Sequence, residues 1–186
     1  MSSVTVVPYE EDWLLQFARV RDHLLRVFGD MAIQVEHIGS TSVPSLAAKP
    51  VIDVLLGADS LTAIESRTDA LERVEYRYIS KYERELPMRR YFVKAEETDS
   101  LRVHVHGVVL GSAMWHEHIA FRNALRSDNV LLSGYQTLKM ELAERFPHDK
   151  ASYTAGKAPF IRSALASLLA VGANNSFNPM PLRGTG

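Results

Sequence analysis

The segment that most constrains this chain is residues 35–44, Val-Glu-His-Ile-Gly-Ser-Thr-Ser-Val-Pro, with the run Lys49-Pro50-Val51-Ile52-Asp53-Val54-Leu55 just behind it. The pattern predicts a strand, a tight Gly39-Ser40 turn, a short polar loop and a second, buried strand with one carboxylate, Asp53. Glycine in such a turn lets a ligand approach the backbone, and the turn supplies N–H and hydroxyl donors. A carboxylate on the neighbouring strand can hold a metal ion against a phosphate bound by the turn. Further on, Val103-His104-Val105-His106 places two imidazoles on one face of a third strand, because strand side chains alternate.

Around this segment the periodicity predicts a mixed sheet with helices in the first half and a helical second half, an α+β layout. Residues 4–7 read as a short strand. Trp13, Leu14, Phe17, Val20, Leu24, Leu25 and Phe28 recur at helical spacing, and Gly29 stops that helix. Strands are expected over 32–38, 51–56, 74–79, 89–94 and 101–110, with a hairpin loop at 96–100 and a helix over 61–73 capped by Asp59-Ser60. Ser112 is expected to cap a helix running to Ser127, Asp128-Asn129 to break it, and a second helix to cover 130–146. A last helix over 150–169 contains Pro159, which is expected to kink or divide it. Residues 1–170 read as one domain and 171–186, rich in Gly, Asn and Pro, as a flexible tail.

A length of 186 residues suffices for a real core. A net charge of −1 lacks the basic surplus of a general nucleic-acid binder. With no cysteine there is no disulfide, thiolate metal site or cysteine nucleophile, which suits a cytoplasmic protein. No apolar run is long enough to span a bilayer, and the N-terminus has no signal-peptide pattern. Oligomeric state is not legible.

His104 and His106 can point at one ion, and Asp53 on a nearby strand completes a two-histidine, one-carboxylate set with open positions. Against this, Asp53 capping a turn or pairing with Lys49 or Arg90, and a His-x-His pair on an ordinary polar face, are the plain structural readings. His37 leads into the turn and reads equally as a packed histidine; His116 and His118 read as surface or packing residues. Arg90 and Lys94 alternate on one side of their strand, which marks that side as polar or anion-binding. Lys49 does not sit in a Walker arrangement.

The run His37-Ile38-Gly39-Ser40-Thr41-Ser42-Val43-Pro44, then Ala47-Ala48-Lys49-Pro50 and Ile52-Asp53, resembles the signature of the GrpB family. His104-Val105-His106, Gly111-Ser112, Trp115, Phe121-Arg122-Asn123, Leu125-Arg126, Tyr135, Leu138-Lys139, and Tyr153 with Lys157 resemble it too, so the likeness covers residues 4–169. That family is grouped with the nucleotidyltransferase superfamily and also occurs fused behind dephospho-CoA kinase in some bacteria. The resemblance implies a nucleotidyltransferase-like mixed β-sheet with flanking helices. It implies a pocket for a nucleotide or phosphorylated small molecule, with a divalent metal ion and possible nucleotidyl transfer.

On this reading Asp53, His104 and His106 hold the metal, with Asp53 also catalytic. Gly39, Ser40, Thr41, Ser42, Lys49, Arg90, Arg122 and Lys139 take the ligand, Arg122 and Lys139 because they match family positions. The superfamily pattern has a second carboxylate two residues after the first; here that position is Leu55. A non-catalytic nucleotide-binding or folding-support module and a metal-dependent hydrolase are the alternative functions.

Overall fold

One five-stranded mixed sheet carries the elements of interest, in the order β1-β2-β5-β4-β3. The computed structural model describes residues 4–95 and 101–175. The strands are β1 (Ile33–Ile38), β2 (Val51–Ala58), β3 (Arg77–Tyr78), β4 (Arg89–Lys94) and β5 (Arg102–Val109). β2 is antiparallel to β1 and parallel to β5, and β4 is antiparallel to both β5 and β3. β2 and β5 are therefore central, where buried backbone polar groups are all paired.

The two faces of the sheet have different jobs. Ile52, Val54, Leu56, Val103, Val105 and Phe92 point one way and form the main core with α1 (Asp12–Phe28), α2 (Leu61–Glu65) and α3 (Thr68–Arg73). Trp13, Leu24 and Phe28 are the fully buried anchors of α1. The opposite face carries Ile38, Asp53, Leu55, His104, His106 and Val108. Over its apolar part lies α4 (Ala113–Ser127), where Ile38, Leu55 and Val108 pack with Trp115. Beyond it, α5 (Asn129–Arg145) and α6 (Lys150–Asn175) close over the segment after the turn, burying Val43 and Leu46 against Leu125 and Tyr135.

The local stop and start signals are realised. The Ser60 hydroxyl accepts from Ala63 N at 3.0 Å, Ser112 accepts from Trp115 N at 3.3 Å, and Asp128 accepts from Val130 N at 2.8 Å. Gly29 ends α1 at φ 61°.

Four expectations need correction. Residues 4–7 form no strand: Val4 N bonds Pro147 O, while Val7 makes a lone bridge to Ala48. The helix over 61–73 is two short helices, because the Ser66 hydroxyl bonds back to Ala63 O at 2.7 Å and competes with the helix ladder. The strand over 74–79 shrinks to two residues, since Glu75 at φ 73° turns the chain out of α3. The last helix runs undivided through Pro159 and on to Asn175, into the segment expected to be a tail. The hairpin loop at 96–100 and residues 176–186 lie outside the described residues. No described helix is long and apolar enough to cross a membrane.

Candidate functional site

The turn is built as a rigid cradle for Asp53. Gly39 has φ 69° and ψ −175°, a region essentially reserved for glycine. Its Cα faces the Asp53 side chain so closely that a β-carbon there would stand 2.9 Å from Asp53 Cβ. Behind the turn, His37 stacks on Phe17 of α1 with ring centres 4.5 Å apart. Thr41 Oγ1 donates to Val51 O at 2.9 Å, so its single proton is used, and His37 Nε2, 3.1 Å away, must be the donor to Thr41. His37 Nδ1 is left buried without a partner, and burial pushes this imidazole down to about 4. Ser42 Oγ bonds Gly39 O at 2.6 Å, and Arg126 clamps Ser42 O with two N–H groups at 3.0 and 2.6 Å. His37, Thr41 and Ser42 thus hold the turn's shape, and Gly39 stands against the Asp53 side chain.

Across the sheet, Asp53 lies beside His104 in register. Its Oδ1 is 3.3 Å from His104 Nδ1 and 3.7 Å from His106 Nε2, and the carboxylate is 29% exposed. Burial alone would raise this carboxyl, but the hydrogen bonds and charges of the two imidazoles outweigh it and hold Asp53 well below the usual carboxylate range. Tyr91, paired with His106 on β4, lies over both imidazoles at 5.6 and 5.2 Å between ring centres. Burial, reinforced by the Asp53 charge, pushes its phenol up to about 12.

The sheet thus brings the three residues expected as metal ligands together, but among the described residues no three His, Asp or Glu side chains form a group that could hold a metal ion. The obstacle is visible at His106. Its Nδ1 is 3.2 Å from Arg89 Nη1, a group that can only donate. Nδ1 is therefore the bare nitrogen, and Nε2, facing Asp53, carries the proton. A metal needs the lone pair of that same Nε2, so this three-residue set does not fit a metal as folded.

Of the expected ligand-binding residues, Arg90 is displaced by one position. It points to the opposite face, pairs with Glu65 of α2 at 2.5 Å and caps Pro87 O at 3.0 Å. Alternation along β4 delivers Arg89 and Tyr91 to the Asp53 face instead. Arg122 is buried and committed to the fold: Nη1 bonds Glu36 Oε2 at 2.6 Å and His37 O at 2.9 Å, stitching α4 to β1. Lys139 is 1% exposed, lies over the Tyr135 ring at 5.3 Å and donates from Nζ to Ala47 O. Burial, helped by Lys157, pushes its amine down to about 7.

Lys157 lies over the Tyr153 ring at 4.7 Å, and burial lowers it too, against the pull of Asp53. Lys49 is lowered first by burial and then by Lys150, Arg102 and Lys157. Among the described residues none of Lys49, Lys139, Lys150 or Lys157 forms an ion pair with a carboxylate. Ser40 is within reach of the Tyr135 hydroxyl, whose phenol is raised mainly by burial.

Sequence reasoning undervalued Arg89, Tyr91, Tyr135 and His118. His118 presents a ring 6.2 Å from that of His106 and donates from Nδ1 to Met114 O at 2.9 Å. The one signal for Arg89 and Tyr91 is their parity on β4, which is uninformative until the strand's inward face is known. Leu55, two residues after Asp53, is fully buried beside Trp115 and is part of the core.

The model of the GrpB protein family matches residues 3–167. The glutamate-rich protein GrpB of Alkalihalophilus pseudofirmus is 30% identical over 165 residues, covering 87% of this chain and 94% of that protein. The crystal structure of GrpB from Enterococcus faecalis superposes with a TM-score of 0.76 at 32% identity, covering 89% of this chain and 99% of that one. The Cid1 poly(U) polymerase, solved with Mg and 3'-dATP, superposes with a TM-score of 0.56 at 12% identity over 81% of this chain and 49% of its own. This last likeness concerns the fold alone.

Proposed function

Because the chain belongs to the GrpB family, with a nucleotidyltransferase-like mixed sheet, we propose that it binds a nucleotide or similar phosphorylated small molecule between the Gly39-Ser40 turn and the facing sides of α5 and α6. The observation that carries this reading is the set of lysines on α5, α6 and the segment after the turn that form no ion pair with a carboxylate among the described residues. Lys139 is buried, Lys157 and Lys49 are half-buried, and desolvated cations without counter-charges are costly. A ligand phosphate supplies the missing anion and recovers that cost. Ser40 and the turn's backbone N–H groups add donors at the same place.

A divalent cation enters this picture as the ligand's own companion. Magnesium is commonly held by one or two carboxylates, substrate phosphates and water, which asks of the protein only Asp53. The carboxylate oxygen not shared by the histidines, Oδ2, lies against Gly39, beside the turn. A bound cation there would neutralise phosphate charge, and the lysines, the turn and Asp53 would orient the phosphates.

Nucleotidyl transfer of the two-metal kind needs a second carboxylate beside the first, and Leu55 supplies none. That favours, as the second reading, a domain that binds its nucleotide without transforming it. Titration calorimetry with nucleoside mono-, di- and triphosphates, with and without Mg²⁺ or Mn²⁺, tests the proposal. Binding should weaken about tenfold or more in Lys139→Met, the loss of one charge-assisted contact. Asp53→Asn should remove the metal dependence and leave metal-free binding. No binding of any phosphorylated ligand under any metal condition would sink the reading.

A further inference from the structure

Arg89 has no carboxylate partner among the described residues, yet it is half-buried and held at two points. Its guanidinium lies over the Tyr91 ring at 4.8 Å, and its Nη1 reaches His106 Nδ1 at 3.2 Å. Strand register fixes both contacts, since Tyr91 stands opposite His106 and Arg89 lies two residues before Tyr91 on the same face. A guanidinium has five donors and no acceptor, so the nitrogen it meets must offer a lone pair. A neutral imidazole with a bare Nδ1 carries its proton on Nε2, the nitrogen that faces Asp53 Oδ1 at 3.7 Å. His104 approaches the same oxygen through Nδ1 at 3.3 Å. Oδ1 thus faces one ring nitrogen of each histidine, His104 the nearer, while Oδ2 lies over Gly39.

We propose that Arg89 is a positioning residue that locks His106 in the Nε2–H tautomer, so that His106 turns an N–H and not a lone pair toward Asp53 and the imidazole pair is closed to a transition metal. The His-x-His pair orients the carboxylate, and the guanidinium decides which nitrogen of His106 is on offer. This role is independent of which phosphorylated ligand the neighbouring lysines take.

The test uses the metal alone, without nucleotide. Cobalt(II) is titrated into wild type, Arg89→Met, His106→Ala and the double variant, followed by its visible absorption. The lock predicts that Arg89→Met binds cobalt at least tenfold tighter than wild type and that the gain disappears in the double variant. A gain of equal size in the His106→Ala background would mean only that a positive charge was removed, and it would overturn the proposal. So would equal cobalt affinity in wild type and Arg89→Met. Should Arg89→Met fail to fold, the wild type decides: long-range ¹⁵N–¹H correlation at neutral pH should show His106 protonated at Nε2, and an Nδ1–H tautomer refutes the lock. Arg89→Met, if folded, should show a mixture of the two tautomers, which a merely structural arginine would not produce.

Discussion

Replacing Gly39 by alanine tests the cradle under Asp53, and the cost divides into two parts. The first is conformational: φ 69° with ψ −175° is strained for any residue with a β-carbon, at about 1–3 kcal/mol. The second is steric. The new carbon would stand 2.9 Å from Asp53 Cβ and 3.0 Å from Cγ, and closer still to Oδ2. Rotating the carboxylate away does not relieve this, because Asp53 Cβ is fixed to the backbone of a central strand. The turn must therefore lift off β2, at a further cost of about 1–3 kcal/mol, as for an overpacked core. At roughly 2–4 °C per kcal/mol for a domain of this size, Gly39→Ala should melt about 10 °C below wild type.

Gly29→Ala and Gly111→Ala supply the comparison. Both have positive φ, 61° and 74°, but nothing stands within 4 Å of an added β-carbon. They should pay the conformational part alone and melt about 2 kcal/mol less destabilised than Gly39→Ala. Thermal melts followed by circular dichroism measure this directly, and the His104 and His106 ring resonances should move only in Gly39→Ala. If all three variants melt alike with unchanged histidine signals, the close packing of turn against carboxylate is wrong.

Two further variants follow from burial. Leu55→Asp, which puts a second carboxylate two residues after Asp53, should lose at least the roughly 2–5 kcal/mol of a leucine truncation, because it also buries a charge beside Trp115; a near-wild-type melt would contradict the packing. Lys139, lowered to about 7 in the fold, is more protonated in the unfolded chain between pH 7 and its ordinary value, so wild-type stability should rise as pH increases from 7 toward 10. Lys139→Met should flatten that rise, and chemical denaturation at several pH values should show identical slopes for the two proteins only if the burial argument is mistaken.

Much of the architecture is written in short-range signals. Gly29, Ser60, Ser112 and Asp128 terminate or start helices because their caps act within three or four residues, a distance the sequence displays directly. The alternation of β2 and β5 placed Asp53, His104 and His106 on one face for the same local reason. Misreadings arose where a competing bond or a distant partner decides. Ser66 interrupts a helix that periodicity would continue, and residues 4–7 reach two separate segments instead of a ladder.

The site itself divides along the same line. The Gly-Ser turn, the single carboxylate, the imidazole pair and the leucine at position 55 are legible along the chain, because identity and parity are properties of one strand. The contacts each group makes come from the folded structure. It turned Arg90 toward Glu65 and Arg89 toward His106, since parity names two faces but not which one is inward. It spent Arg122, Thr41 and Ser42 on holding the turn. It drew Lys139 from α5 onto the Ala47 carbonyl and set Lys157 of α6 near Asp53. Desolvation and tautomer depend on what surrounds a side chain in space, and for these residues the surroundings come from segments up to about a hundred positions away.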